Sequence, residues 1–314
     1  MRKRFSANKG KRSVGRWPDA PVQNATMADI VIPVMGPTGA GKSTFINILF
    51  GESLMDVGHG LTSCTTQLKY GVIDLATVPG YRHLGLQGRL VVVDTPGFDD
   101  TYDGDVDILR RIADWLEKSY RDSMVLAGVI YLHDVSQTRF SGTARRNLEM
   151  FRHICGDRAL QKVILGTTKW GRVDMGECRS HEEELTNAHW KGMIEKGSQV
   201  RRFDRTQQSA QEFVRTILAN HAAIHLLQIT EEMALERKII PETKAGKELR
   251  YTLRQVLEMQ QKMVGLEAAM EADGDPDAEA KIEELRQRIN TLTREIQELK
   301  VPWARRLARI FSFG

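Results

Sequence analysis

Gly36-Pro37-Thr38-Gly39-Ala40-Gly41-Lys42-Ser43-Thr44 matches the phosphate-loop pattern G-x-x-x-x-G-K-[ST] at every fixed position. The run before it, Ile30-Val31-Ile32-Pro33-Val34-Met35, reads as a buried strand, and Phe45-Ile46-Asn47-Ile48-Leu49-Phe50 after it is apolar at helical spacing. Glycines let such a loop wrap a polyphosphate with its N–H groups pointing inward, and the helix that follows adds the positive end of its dipole. Lys42 then reaches the β- and γ-phosphates, and the Ser43 hydroxyl holds Mg²⁺.

Outward from this loop, strand and helix signals alternate from about residue 29 to about residue 235. Leu68–Ile73 reads as a strand at a sheet edge, and Arg89–Val93 as a central parallel strand. Ala127–Leu132 and Val163–Gly166 read as further central strands, and Val200–Phe203 as a last one. Helices are predicted over Ile108–Tyr120 and Ala144–Ile154, with one long closing helix over Ser209–Arg237. This alternation implies right-handed βαβ units and an α/β fold with a doubly wound, mostly parallel sheet. Ligands bind such sheets at the carboxyl ends of the strands.

After Pro241 the pattern changes. Leu249, Leu253, Val256, Met263 and Met270 keep a 4-3 rhythm, Gly274-Asp275-Pro276 interrupts it, and Ile282, Leu285, Ile289, Leu292, Ile296 and Leu299 follow at 3-4 spacing. Two such helices can fold back as a hairpin, pair with another protomer or pack on the nucleotide domain, and the spacing does not choose. The segments are therefore a basic disordered arm over 1–28, a nucleotide domain over 29–240, a helical hairpin or oligomerisation segment over 241–301, and a basic tail over 302–314. In that tail Trp303, Leu307, Ile310 and Phe311 share one helical face and Arg305, Arg306 and Arg309 lie elsewhere, which suits weak contact with an anionic membrane or docking on protein.

The chain has 314 residues, 41% hydrophobic and 27% charged, an ordinary composition for a soluble globular protein. Seven of its 45 Lys and Arg lie before Trp17 with no acidic residue among them, and setting them aside leaves 38 basic against 41 acidic residues. The body thus offers no basic surface, and nucleic-acid binding is not expected. The arm can contact nucleic acid or an anionic membrane, act as a nuclear-import signal, or remain solvated. Met124–Leu132, the longest mostly apolar run, is too short to span a bilayer. Three widely spaced cysteines, Cys64, Cys155 and Cys178, fit a reducing compartment and argue against a disulfide framework or a zinc site. A cytoplasmic location is expected, peripheral on a membrane if the tail engages one.

The second chemical motif is Asp94-Thr95-Pro96-Gly97, roughly fifty residues after Lys42. A carboxylate there reaches Mg²⁺ through water, and the Gly97 amide meets the γ-phosphate. Between the motifs lies Gly58-His59-Gly60-Leu61-Thr62-Ser63-Cys64-Thr65-Thr66. Thr65, with Thr62 and Thr66 close behind, is the threonine whose hydroxyl is expected on Mg²⁺ and whose amide is expected on the γ-phosphate. Lys42, Thr65 and Gly97 are thus the residues placed on the reacting phosphate, and Ser43, Thr65 and Asp94 those on the metal.

These boxes, with Phe98-Asp99-Asp100, resemble those of the translation-factor-related GTPases, and their septin-like branch in particular, which includes GIMAP-type GTPases and chloroplast import receptors. The Gly-His-x-Leu-x-Ser-Cys-Thr run at 58–65, Ser141-Gly142-Thr143, Arg146-Asn147-Leu148, Met150-Phe151 and Thr167-Thr168-Lys169-Trp170 are similar to G-domain proteins abundant in fungi. The resemblance spans roughly residues 29–240 and implies GTP/GDP with Mg²⁺ as ligands and a nucleotide-dependent switch or assembly module. It also implies Thr168, Lys169 and Trp170 as base-side residues, in the place of an [NT]-K-x-D box.

Two positions depart from the family pattern. Gly171 stands where the guanine-reading Asp belongs, a loss on the order of several kcal/mol in discrimination if nothing replaces it; Asp174 can swing in, or Trp170 can stack on the base and tolerate either purine. Phe98 stands where many relatives carry a water-orienting glutamine, so turnover should be slow. Relatives with this substitution often complete the site across a homodimer, for which Asp99, His133, Arg139 and His59 are candidates. The alternatives are a constitutively nucleotide-bound, septin-like scaffold, joined across the nucleotide face or through the coiled region, and a purine-promiscuous NTPase that accepts ATP.

Overall fold

The structure, a computed structural model, describes residues 13–14, 22, 24–55, 68–78, 81, 88–98, 104–219, 226–272 and 278–302. Its strands are β1 (Ser13–Val14), β2 (Ile30–Met35), β3 (Lys69–Asp74), β4 (Arg89–Asp94), β5 (Val125–Leu126), β6 (Val129–Asp134), β7 (Val163–Thr168) and β8 (Gln199–Arg202). They form one sheet in the order β1-β3-β4-β2-β6-β7-β8, with the short β5 also on β2. From β4 to β8 every neighbouring pair is parallel, whereas β3 runs antiparallel to both β4 and β1.

Valines and isoleucines make the central strands apolar on both faces because helices cover both. Alternate residues divide cleanly between two cores. Val31, Val91, Val93, Tyr131 and Leu165 face α2 (Asp105–Arg121) and α3 (Gly142–Cys155). Ile30, Ile32, Leu90, Val92 and Ile164 face α1 (Lys42–Phe50) and, after α4 (Met175–Glu184) and the single turn α5 (Lys191–Ile194), α6 (Gln207–Ala219).

Two expectations need correction. The Leu68–Ile73 strand is not an open edge: Ser13 pairs with Val72 and Val14 with Gly71, so two residues of the presumed disordered arm cover it, sparing β3 an unpaired row of amides. The single helix expected over 209–237 is two pieces. α6 ends its described run at Ala219, Leu227 is extended, and α7 (Gln228–Thr230) leads into a π-helical turn at Glu231–Leu235. The break has a packing cause: Ile217 and Leu218 sit in one core, and Leu227 and Ile229 sit in the other, so the chain must change faces of the sheet.

The C-terminal helices are α8 (Lys244–Ala272) and α9 (Ala278–Glu298). Of the arrangements the heptads leave open, they pack on each other and on the nucleotide domain. Leu249, Leu253 and Val256 of α8 share a core with Leu292 and Ile296 of α9, Leu299, Leu109 of α2 and Leu148 of α3. Among the described residues no helix is long and apolar enough to cross a membrane. The turn at 274–276 and the tail from 303 onward lie outside the described residues.

Leu253 is fully buried in this shared core, so Leu253→Ala should cost about 2–5 kcal/mol. Urea denaturation should show it as a lower midpoint of one cooperative transition. A separate early transition, or a loss under about 1 kcal/mol, would mean that the hairpin folds apart from the sheet.

Candidate functional site

Three loops meet at the carboxyl ends of β2, β4 and β7, and each carries one of the expected motifs. The phosphate loop leaves β2 at Gly36, whose φ is 136° and whose backbone crosses β6 so closely that a β-carbon would lie 2.2 Å from the Leu132 carbonyl oxygen. Ala40 N–H donates to the Pro37 carbonyl at 3.1 Å, closing the turn. Gly39 and Gly41 take φ of 78° and 94°, and Gly41 starts α1 without a side-chain cap, at the end of the helix where the dipole favours an anion.

Lys42 is buried, and its Nζ donates to the carbonyls of Gly36 at 2.9 Å and Pro37 at 3.0 Å, which arches the ammonium over the loop. Ser43 Oγ donates to Asp94 Oδ2 at 2.6 Å. Two motifs 51 positions apart are therefore in contact, because β2 and β4 are parallel neighbours that end level with each other. Thr44 lies on the first turn of α1, half-buried. Thr95 Oγ1 donates to the Val34 carbonyl at 2.9 Å and anchors the second loop to β2. Gly97 follows, so near the phosphate loop that a β-carbon on it would lie 2.5 Å from Thr38 N.

Ser43 and Asp94 form a hard-oxygen pair of the kind Mg²⁺ takes. No group of three or more His, Cys, Asp or Glu among the described residues could hold a metal ion by itself. A magnesium ion here therefore needs further oxygens from phosphate and water, which is how this ion is usually bound with nucleotides.

The third loop begins with Thr168, whose Oγ1 donates to the Ala40 carbonyl at 2.7 Å and lies 3.1 Å from the His133 carbonyl, tying this loop to the first. Lys169, in the left-handed region at φ 63°, extends its Nζ to Asp134 Oδ2 at 2.6 Å. Trp170 is propped rather than free. Its Nε1–H donates to Thr167 Oγ1 at 3.1 Å, and the Arg202 guanidinium lies 4.3 Å over its ring. Thr167 in turn donates to Glu182 Oε1 at 2.9 Å, and Arg202 Nε donates to Glu182 Oε2 at 2.7 Å. The carboxylate of Glu182 raises the pKa of the Arg202 guanidinium above its ordinary value. Gly171 is exposed at φ 82°, with open space where a side chain would stand. Asp174 does not take its place: its carboxylate caps α4, accepting from the N–H groups of Gly176 at 2.7 Å and Glu177 at 3.4 Å.

The network Thr167–Glu182–Arg202 was not legible beforehand, because its members are separated in sequence and carry no motif. Asn147 was quoted only as part of a resemblance, yet its Nδ2 donates to the Phe98 carbonyl at 2.9 Å. Thr62, Thr65, Thr66, His59 and Asp99 lie outside the described residues. His133 is not available to orient water across an interface. It is 4% exposed, with Phe140 and Trp190 at ring separations of 5.4 and 6.2 Å, and its Nδ1 has no partner. Arg139 is exposed. A cavity of about 410 Å³ lined by Val31, Leu116, Met124 and Leu227 includes the amino-terminal part of β2, away from these loops.

The family model described as Septin matches residues 27–139, which contain the first two of these loops. Cell division control protein 11 of Saccharomyces cerevisiae is 28% identical over 97 residues, a stretch that is 30% of this chain and 23% of the relative's length. Among solved structures, Toc33 from Arabidopsis thaliana in complex with Mg²⁺ and GMPPNP superposes at TM-score 0.46 with 14% identity, covering 63% of this chain and 88% of that one. Era of Aquifex aeolicus bound to GDP·AlF4⁻ gives 0.42 with 15% identity, covering 62% and 58%. At such scores the fold assignment rests on the chain's own strand order and loops.

Burial lowers the pKa of His133 to about 4, with His189 acting in the same direction and Asp134 opposing. The unfolded imidazole protonates near pH 6.5, so the folded state loses stability as the pH falls from there toward 4. Between pH 7 and pH 5 the wild-type chain should lose about 2 kcal/mol more than His133→Phe in denaturant titrations. Equal losses would show that His133 is not held neutral.

Proposed function

We propose, from a septin-like G domain over residues 27–139, that this chain is a guanine-nucleotide switch with slow hydrolysis. The observation that carries the reading is the contact between Ser43 and Asp94 beside a glycine-rich loop over which Lys42 is folded onto the Gly36 and Pro37 carbonyls. A triphosphate lies along the loop from Gly36 to Thr44, with Lys42 on its β- and γ-phosphates. Ser43 and Asp94 would hold Mg²⁺, with Thr65 the further ligand that the sequence pattern implies. When bound, the ion neutralises charge on the phosphate oxygens. The Gly97 amide meets the γ-phosphate and reports its presence to Phe98 and the helix beyond.

Thr168 and Lys169 face the base, and Trp170 supports that loop from behind through Arg202 and Glu182. With Asp174 committed to α4 and Gly171 lacking a carboxylate, guanine is preferred by a reduced margin. Phe98 cannot orient water, so a second copy of the chain across the nucleotide face supplies what is missing. Weak contact of the basic tail with anionic membrane belongs to the same reading.

GTP should displace fluorescent GDP more strongly than ATP does, and equal competition by the two would refute the guanine preference. Open space stands where a side chain at position 171 would go, and aspartate is among the few residues that adopt its left-handed backbone, at some cost in strain. Gly171→Asp should therefore tighten GDP by about tenfold or more while leaving ATP unchanged, in keeping with the 1–3 kcal/mol that unpaired polar groups cost. No gain in GDP affinity would count against the placement of the base. Hydrolysis per protomer should also rise with protein concentration; a flat specific activity argues against completion of the site by a second copy.

A further inference from the structure

Position 147 lies on the inward side of α3, with Leu148, Phe151 and Ile154 of the same helix in the core. Helical periodicity calls for an apolar residue there, yet the residue is an asparagine, 4% exposed. A primary amide buried to that degree is destabilising unless a partner takes its hydrogens. The partner is 49 positions away in sequence: Asn147 Nδ2 donates to the Phe98 carbonyl at 2.9 Å. The helix that carries it is well fixed. Ser141 caps α3 by accepting the Ala144 N–H at 3.1 Å, and the apolar side of the helix belongs to the core.

Phe98 closes the turn that begins at Asp94. The near end of that turn is tied to β2, where Thr95 donates to the Val34 carbonyl through Oγ1 at 2.9 Å and through its N–H at 3.3 Å. Pro96 contributes a φ locked by its ring. At the far end the Phe98 ring packs against the core that contains Met150 and Phe151, and Asn147 holds its carbonyl. Gly97 is therefore carried between two anchored residues. In this anchored arrangement Asp94 Oδ2 accepts from Ser43 Oγ at 2.6 Å, so the carboxylate and hydroxyl suited to Mg²⁺ are already together.

We propose that Asn147 is a positioning residue for the Gly97 amide, so that the margin between triphosphate and diphosphate depends on a side chain of α3. This rests on the nucleotide reading above and adds to it the group that sets which nucleotide state is preferred. A γ-phosphate meets the Gly97 amide and a diphosphate has none to offer it. Loss of the Asn147 bond therefore weakens the triphosphate complex and leaves the diphosphate complex as it was.

Two variants of the full-length chain test this. Asn147→Leu keeps the size and removes the donor, and Asn147→Asp keeps the shape and sets a carboxylate against the Phe98 carbonyl. In calorimetry with Mg²⁺, Asn147→Leu should lower affinity for a non-hydrolysable GTP analogue about fivefold, with GDP affinity changed by less than about twofold. Asn147→Asp should lower the analogue's affinity further. Equal weakening of both nucleotides would make Asn147 a residue of the fold alone, and the proposal fails. Unchanged affinities in both variants would overturn the positioning role while nucleotide binding stands. If the wild type binds neither nucleotide, the nucleotide reading falls and this proposal falls with it. The wild type also supplies a measure that needs no variant. With isotopically labelled asparagine, nuclear magnetic resonance should show the side-chain amide protons of Asn147 exchanging slowly with solvent in both nucleotide complexes. Fast exchange in the analogue complex would show the bond broken there and overturn the proposal.

Discussion

The Leu132 carbonyl oxygen occupies the space in which a side chain at position 36 would begin, so β2 and β6 can lie side by side only if the chain turns away from the sheet at a glycine. That turn commits the backbone to a left-handed excursion through Gly39 and Gly41 and delivers it to α1, which starts without a side-chain cap. Everything else at the site is arranged around this excursion. Lys42 bends back over it to two of its carbonyls, Thr168 reaches across from β7 to a third, and Ser43 meets Asp94. Parallel pairing of β4, β2, β6 and β7 brings loops from distant parts of the sequence to one end of the sheet.

A site built this way has little slack. Gly97 rests on the phosphate loop, Asn147 of α3 holds the carbonyl of the following residue, and α2 begins under a carboxylate donated by α9. The hairpin's apolar face is continuous with the core under α2 and α3, so its docking adds to the same hydrophobic cluster that holds the sheet.

The strands and the phosphate loop were legible in the sequence because local pattern and chemistry agree there. A β-branched run ending in Asp94 can be read without knowing what packs on it. The destination of the hairpin was not legible, because Ile282, Leu285, Leu292 and Ile296 have the same spacing whether they face a second protomer or their own domain. The break after Ala219 was hidden for a related reason: apolar spacing continues, but the residues on either side of the break belong to opposite faces of the sheet. In the loop after β7, the absence of a carboxylate at Gly171 is legible in the sequence. That Asp174 is spent as a helix cap and that Arg202 covers Trp170 depends on pairings between residues that no short motif records. His133 reads from the sequence as a candidate for completing the site across an interface; the aromatic side chains packed around it bury it instead.

The central claim is that backbone amides at residues 36–44 and the ammonium of Lys42 bind a triphosphate with Mg²⁺. Isothermal calorimetry of Mg²⁺-GTP against the full-length chain and against Lys42→Ala tests it most directly. The account predicts saturable one-to-one binding by the wild type, reduced at least a hundredfold in the variant, since a buried charge-assisted contact is worth about 3 kcal/mol. Absence of heat with the wild type, or equal affinity in the two proteins, would contradict it.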